Sequence, residues 1–443
     1  MNSRRLVLTS SVVALVGTII TAGPAAHAQL SDTFNLWLDH PALDYESRQT
    51  TDAVSDLNRK IQNGEVQLQD KGPSGYLQSV LEALRIPIAS QIVVFAKDSV
   101  QAPRINPSNP RTIFFNDSAA VGWVRGGFIE IAAQDPEQGV IFYTLNQTSG
   151  GNPLFTRRDG CLTCHYSHDT VGVPGMLVRS VYTAPDGKAL FQLGSHMIDH
   201  RSPLEHRWGG WYVTGTHGSM RHMGNAMVAN PEEPESMVTS DTLNVKSLER
   251  KFDTSAYLSS NSDIAALMVF EHQMHMMNLL SRIGWEARVA EYQKQNMKAP
   301  PGRVPDVQSD TPVPVGDGAR ELVDYLLFID EAPLTDTIQG STEFADTFAS
   351  QGPQDHVGRS LRQLDLKRRL MRYPCSYMIY SAQFDRLPLA AKSAIFARIW
   401  NVLSGTEKGP RYRRLSVDDR RAIVEILRET KKDLPEYFKP IIH

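Results

Sequence analysis

"TIFFNDSAAVGWVRGGFIEIAAQDPEQGVIFYTL", from Thr112 to Leu145, is the stretch on which the fold turns. It contains three runs rich in β-branched and aromatic residues: Thr112 to Asp117, Val121 to Ile131 and Gly139 to Leu145. Asn, Gly and Pro separate them, as strands require. With "SQIVVFAK" (Ser90 to Lys97) ahead of it, the pattern predicts strands over residues 86–147. It resumes in "MLVRSVYTAPDGKALFQLG", where apolar and polar residues alternate around Pro185-Asp186-Gly187, a good hairpin turn. "RWGGWYVTGTHG" (Arg207 to Gly218) is one more strand-like stretch.

Beyond residue 260 the period changes. Ser262 to Gln295 reads as one long helix, with Ser262 or Asp263 able to cap its first turn. A proline-rich stretch, Lys298 to Gly318, predicts an exposed loop. Helical patterns follow at Ala319 to Ile329, Gly358 to Arg372, Leu387 to Leu403 and Ser416 to Lys432, the last opening with the capping sequence "SVDD". The expected fold class is therefore α+β, with a strand-rich region over 29–260 and a helical region over 261–443 packed as one unit. No fixed-period repeat is visible.

The first residues read as an export signal spanning 1–28. Arg4 and Arg5 precede an apolar stretch from Leu6 to Ala22, and Ala26-His27-Ala28 fits a small-x-small cleavage site. "SRRLVLT" also looks like a twin-arginine signal. The mature chain is expected in the periplasm or secreted, with no membrane span. Losing Arg4 and Arg5 and no acid leaves 44 basic residues against 49 acidic ones. That balance argues against nucleic-acid binding.

Three cysteines are too few for the disulfide framework of an exported protein. Cys161 and Cys164 stand close together in "DGCLTCHYSHDT" (Asp159 to Thr170), with His165 directly after them. Cys375 is alone and is expected to be a small buried side chain. C-x-x-C followed by His reads as a covalent haem attachment site. A thioredoxin-like dithiol pair is a second reading. A third is a zinc site joined by His168, although no second C-x-x-C exists.

At Cys161-Leu162-Thr163-Cys164-His165 the chain resembles c-type cytochromes, and the resemblance is confined to this motif and the export signal. It implies one haem c held by Cys161 and Cys164, with His165 as the proximal iron ligand. The motif lies in a loop between strand-like segments, so the small all-helical cytochrome c domain does not map onto this region. Candidates for the far side of the iron are Met220, Met223, His217 and His222 in "THGSMRHMGN", and His272 and His275 on the long helix. Arg157, Arg158, Arg201 and Arg207 suit the haem carboxylates, and Trp208, Trp211 and Tyr212 suit its apolar wall.

The expected function is electron transfer to a redox partner protein in a periplasmic chain. The alternative is a haem enzyme with an open iron position, acting on peroxide, a nitrogen oxide or a sulfur compound, with Glu271 available for proton transfer. A haem-based sensor is a third reading, but neither a helix-turn-helix nor a signalling span supports it.

Overall fold

Asp52 starts the first helix. Its carboxylate accepts the N–H groups of Val54 and Ser55 at 2.8 and 3.0 Å, and α1 (Ala53–Gln62) then buries Val54, Leu57 and Ile61 on one face. α2 (Leu77–Leu84) follows. The computed structural model describes residues 38–147, 153–296 and 313–439. The expected leader and most of the proline-rich stretch lie outside the described residues.

β1 (Ile92–Val94), β2 (Arg111–Phe115), β3 (Ala119–Trp123), β4 (Ile129–Asp135) and β5 (Gly139–Leu145) pair antiparallel in chain order. The run from Val121 to Ile131 is thus two strands. Gly126 sits at φ +79°, and the Gly127 N–H closes the reversal on the Val124 carbonyl at 3.0 Å. β6 (Thr156–Arg157) joins β5 and leads into the single turn α3 (Leu162–His165). β7 (Arg179–Val181) and β8 (Ser195–Met197) pair antiparallel around the Gly187 turn, but Phe191–Leu193, expected in the second arm, form a 3₁₀ turn and the strand follows them. β9 (Trp211–Tyr212) joins β1, so the seven-stranded sheet has the order β6-β5-β4-β3-β2-β1-β9.

β10 (Gly215–Thr216) leads to α4 (Ile264–Asn296). Of the two possible caps, Asp263 is the one used. One oxygen accepts the Ala265 and Ala266 N–H groups, and the other accepts those of Ser341 and Thr342. Ser262 instead donates to the Tyr212 carbonyl at 2.6 Å. α5 (Val313–Leu326) begins inside the stretch expected to be a loop. Pro314 needs no N–H partner in a first turn, and Val315, Ala319 and Leu322 are buried. β11 (Gln339–Gly340) pairs with β10, then come α6 (Phe344–Ser350), α7 (Ala382–Asp385), α8 (Leu389–Leu403) and α9 (Val417–Thr430). Gly358 to Arg372, expected to be helical, is not. Gly358 and Leu366 turn left-handed at φ +80° and +56°, and Asp365 bonds the N–H groups of Lys367 and Arg368.

The chain is an α+β fold, with the sheet in the first half and helices in the second. Side chains alternate along each strand, so the ladder has two faces. Phe114, Val121, Ile131, Ile141 and Tyr143 face α1 and α2. Ile113, Phe115, Ala120, Val140 and Phe142 face α4, where Phe115 meets Phe270 at 4.9 Å. At the far end of that second face lie Val94, Arg111, Gly122, Glu130, Ala132 and Thr144. Among the described residues no helix is long and apolar enough to cross a membrane.

Candidate functional site

The cysteine pair rides on α3, where it emerges from the sheet edge. Cys161 immediately precedes the turn and Cys164 lies in it, so their three-residue spacing puts them on one side of a helical turn. All three cysteines are free thiols: Cys161 is half-buried, Cys164 exposed and Cys375 buried. Burial raises the Cys161 thiol pKa, as does Glu130, while Arg158 opposes them. A nucleophilic thiol needs the opposite shift.

His165 is oriented by its own loop. Its Nδ1 lies 3.0 Å from the Gly175 carbonyl oxygen, and the Gly175 N–H returns a bond to the His165 carbonyl at 2.9 Å. A carbonyl only accepts, so Nδ1 carries the proton. Burial lowers the imidazole pKa although this hydrogen bond raises it, which favours the neutral ring with a lone pair on Nε2. The ring packs on Phe142 of β5 at 4.8 Å.

α4 fixes the other side of this loop. Asn278 accepts the Met176 N–H at 3.1 Å and donates to its carbonyl at 2.7 Å. Gly175 is required here, because a Cβ would stand 2.2 Å from Asn278 Oδ1.

Beside the motif the sheet offers a shelf of small residues. Ala132 pairs with Phe142 and Gly122 with Glu130, so they share the His165 face. Val94, Ala132, Cys161 and Leu162 are half-buried against one core. Arg111 and Glu130 pair at 3.2 Å across Gly122, where a Cβ would stand 3.2 Å from both Arg111 Nε and Glu130 Oε2. Both charges act on His165. An imidazole beside two thiols is the donor set that haem c requires.

The far-side candidates are occupied or enclosed. His272 is fully buried, its Nδ1 2.8 Å from His200 Nδ1 and its Nε2 2.7 Å from Ser376 Oγ, and it stacks on Tyr325 and Phe328. His275 is half-buried and accepts from Arg201 at 3.2 Å. His217 and His222 are buried with rings 4.7 Å apart, and His217 Nε2 accepts the Asn244 N–H. Among the described residues the Nδ1 atoms of both lack a hydrogen-bond partner. Met220 and Met223 are buried, Met223 receiving the Ser180 hydroxyl at 3.6 Å. His168, the possible zinc ligand, is exposed. Among the described residues no group of three or more His, Cys, Asp and Glu is placed to hold a metal ion.

The arginines divide in the same way. Arg157 binds Asp159 and the Tyr45 carbonyl, Arg201 binds Asp199, and Arg207 pairs with Glu271 in the core. Burial pushes Glu271 up to about 8 against the pull of Arg207. Arg158 alone of the four has no acidic partner among the described residues. It is exposed, and its Nε donates to Thr144 Oγ1 at 3.0 Å, on the same sheet face as Phe142. Trp208 donates to Glu271, Trp211 to the Arg179 carbonyl, and Tyr212 to the Pro107 carbonyl.

Met197 is one of the histidines and methionines between His165 and Met223 that the sequence offers for the iron without singling it out. It is 36% exposed on β8 and pairs with Arg179 on β7. Arg179 in turn pairs with Asp169, just past the motif, and lies over the exposed ring of Phe191. The signal was an apolar residue at an outward hairpin position. No family model, curated protein or solved structure matches the chain.

Proposed function

We propose that the chain is an exported protein carrying one haem c on Cys161 and Cys164, with His165 as proximal iron ligand, and that it passes electrons to a redox partner protein. The observation that carries this reading is the setting of His165: its Nδ1 lies 3.0 Å from the Gly175 carbonyl, burial lowers its pKa, and two free thiols stand beside it. Haem supplies a one-electron couple at its iron. The chain supplies position. α4 holds the His165 loop through Asn278, and Arg158 offers an uncommitted guanidinium to a haem carboxylate. With the six expected far-side ligands occupied or enclosed, Met197 is an exposed soft donor on β8, opposite Arg179, whose guanidinium pairs with Asp169 just past the motif. A thioether there raises the reduction potential.

The enzyme reading keeps one support, the half-exposed pairing of Arg201 with His275. The test is expression in cells that attach haem c. The parent should retain haem through a denaturing gel, and Cys161→Ser with Cys164→Ser should abolish it. Haem lost on denaturation, or none at all, sinks the reading and leaves a dithiol pair. A low-spin parent that turns high-spin in Met197→Ala supports the carrier. A parent already high-spin overturns it in favour of a small-molecule oxidoreductase.

A further inference from the structure

Charge is unevenly spread along the chain. Residues 362–372 and 408–421 together hold eleven Lys and Arg against three Asp, whereas the whole chain has 46 against 49. The fold gathers these two segments. Leu366 turns left-handed in a tight loop whose Leu366 and Leu370 are buried, which drives Lys367 and Arg368 outward. In the turn Pro410–Arg414, buried Tyr412 and Leu415 flank exposed Arg413 and Arg414. Arg369 clips the two together, donating to both oxygens of Asp419 at 3.1 and 2.6 Å. Arg414 and Arg369 both act on the buried carboxyl of Glu331, so they share one neighbourhood.

Some of this charge is internally neutralised. Arg362 pairs with Asp117, Arg369 with Asp419, and Arg411 with Asp324 and Asp330. Lys367, Arg372, Lys408, Arg413 and Arg414 make no salt bridge among the described residues. Arg368, 77% exposed, has only a 3.4 Å contact with Asp365. Five cations therefore make no salt bridge among the described residues, with the weakly paired Arg368 beside them, in a chain that is acidic as a whole. Such an array repels itself unless something anionic covers it.

We infer that this face docks on an anionic phospholipid surface. Exposed Lys367, Arg368, Arg413 and Arg414 offer the adjacent cations that a layer of lipid phosphates attracts. Val417, 71% exposed at the start of α9 and three residues past Arg414, adds an apolar contact at headgroup depth. The inference is independent of the haem.

The test is cosedimentation of the whole chain with vesicles of phosphatidylcholine alone or mixed with phosphatidylglycerol. Binding should grow with the phosphatidylglycerol share and collapse in high salt. Lys367→Glu with Arg413→Glu and Arg414→Glu should weaken it at least about tenfold. Parent and variant share the same first 28 residues, so the difference between them isolates this face. Equal melting temperatures of parent and variant would show that the fold is kept. A variant that sediments like the parent overturns the inference. So does a parent that ignores the vesicles yet binds soluble polyglutamate, which would assign an acidic protein instead.

Discussion

His272 is closed in: both ring nitrogens bonded, the ring stacked on Tyr325 and Phe328, and no exposure. Burial pushes its pKa down to about 3, and that of His222 to about 3. In the unfolded chain both titrate near 6.5, so below that pH the unfolded state binds more protons. Their contribution to stability is present above pH 6.5 and is lost as the pH falls towards 3. Each histidine should cost roughly 1.4 kcal/mol per pH unit between about pH 6 and 4. Urea midpoints across this range should fall on acidification, and His272→Gln, which cannot charge, should flatten the slope. An unchanged slope in that variant would show that His272 does not titrate on unfolding. None of this was legible in "FEHQMHMMN", because spacing on a helix shows which residues share a face but not what lies opposite. His200 and Ser376, which bond this ring, are 72 and 104 residues away.

Among the elements, α4 carries the most. It covers one face of the sheet, is buried nearly all round through its first seven turns, and holds the His165 loop by the two hydrogen bonds of Asn278. Asn278→Ala leaves the Met176 N–H and carbonyl without their partner, each worth about 1–3 kcal/mol when buried. The variant should lose about 2–4 kcal/mol of stability in denaturant titration. A loss under about 0.5 kcal/mol would mean that water replaces the side chain. The strands were readable because β-branched and aromatic runs broken by Asn, Gly and Pro have few other solutions. The Arg125-Gly126 reversal was not, because apolar residues flank its Arg-Gly-Gly closely on both sides. Gly358 to Arg372 misled through its leucines at near-helical spacing, which the fold uses to anchor a loop. The cysteine motif was plain, whereas Gly175 and Asn278, which orient its histidine, carry no local signal.

For the whole molecule, the sheet is a shared wall. The described residues belong to one compact unit, and two cores meet across the ladder. α4 contributes Trp285 and Val289 to one core and Ile264 through Ile283 to the other. Neither core is complete without that helix. Far-UV circular dichroism, which reads the helices, and tryptophan fluorescence should therefore follow one coincident unfolding transition. A separate early step in either signal would show the helical half melting by itself. The ladder also limits how this chain can change over its descent. Alternate residues of β3, β4 and β5 serve opposite faces, so His165 and the core behind the sheet depend on the same odd-even count. An inserted or deleted codon inside these strands would exchange Phe142 for Tyr143 and spoil site and core together. One at Arg125 to Gly127, in the open turn between β3 and β4, would disturb neither. Length variation in descendants of this gene should gather at such turns, with the strands constant in length.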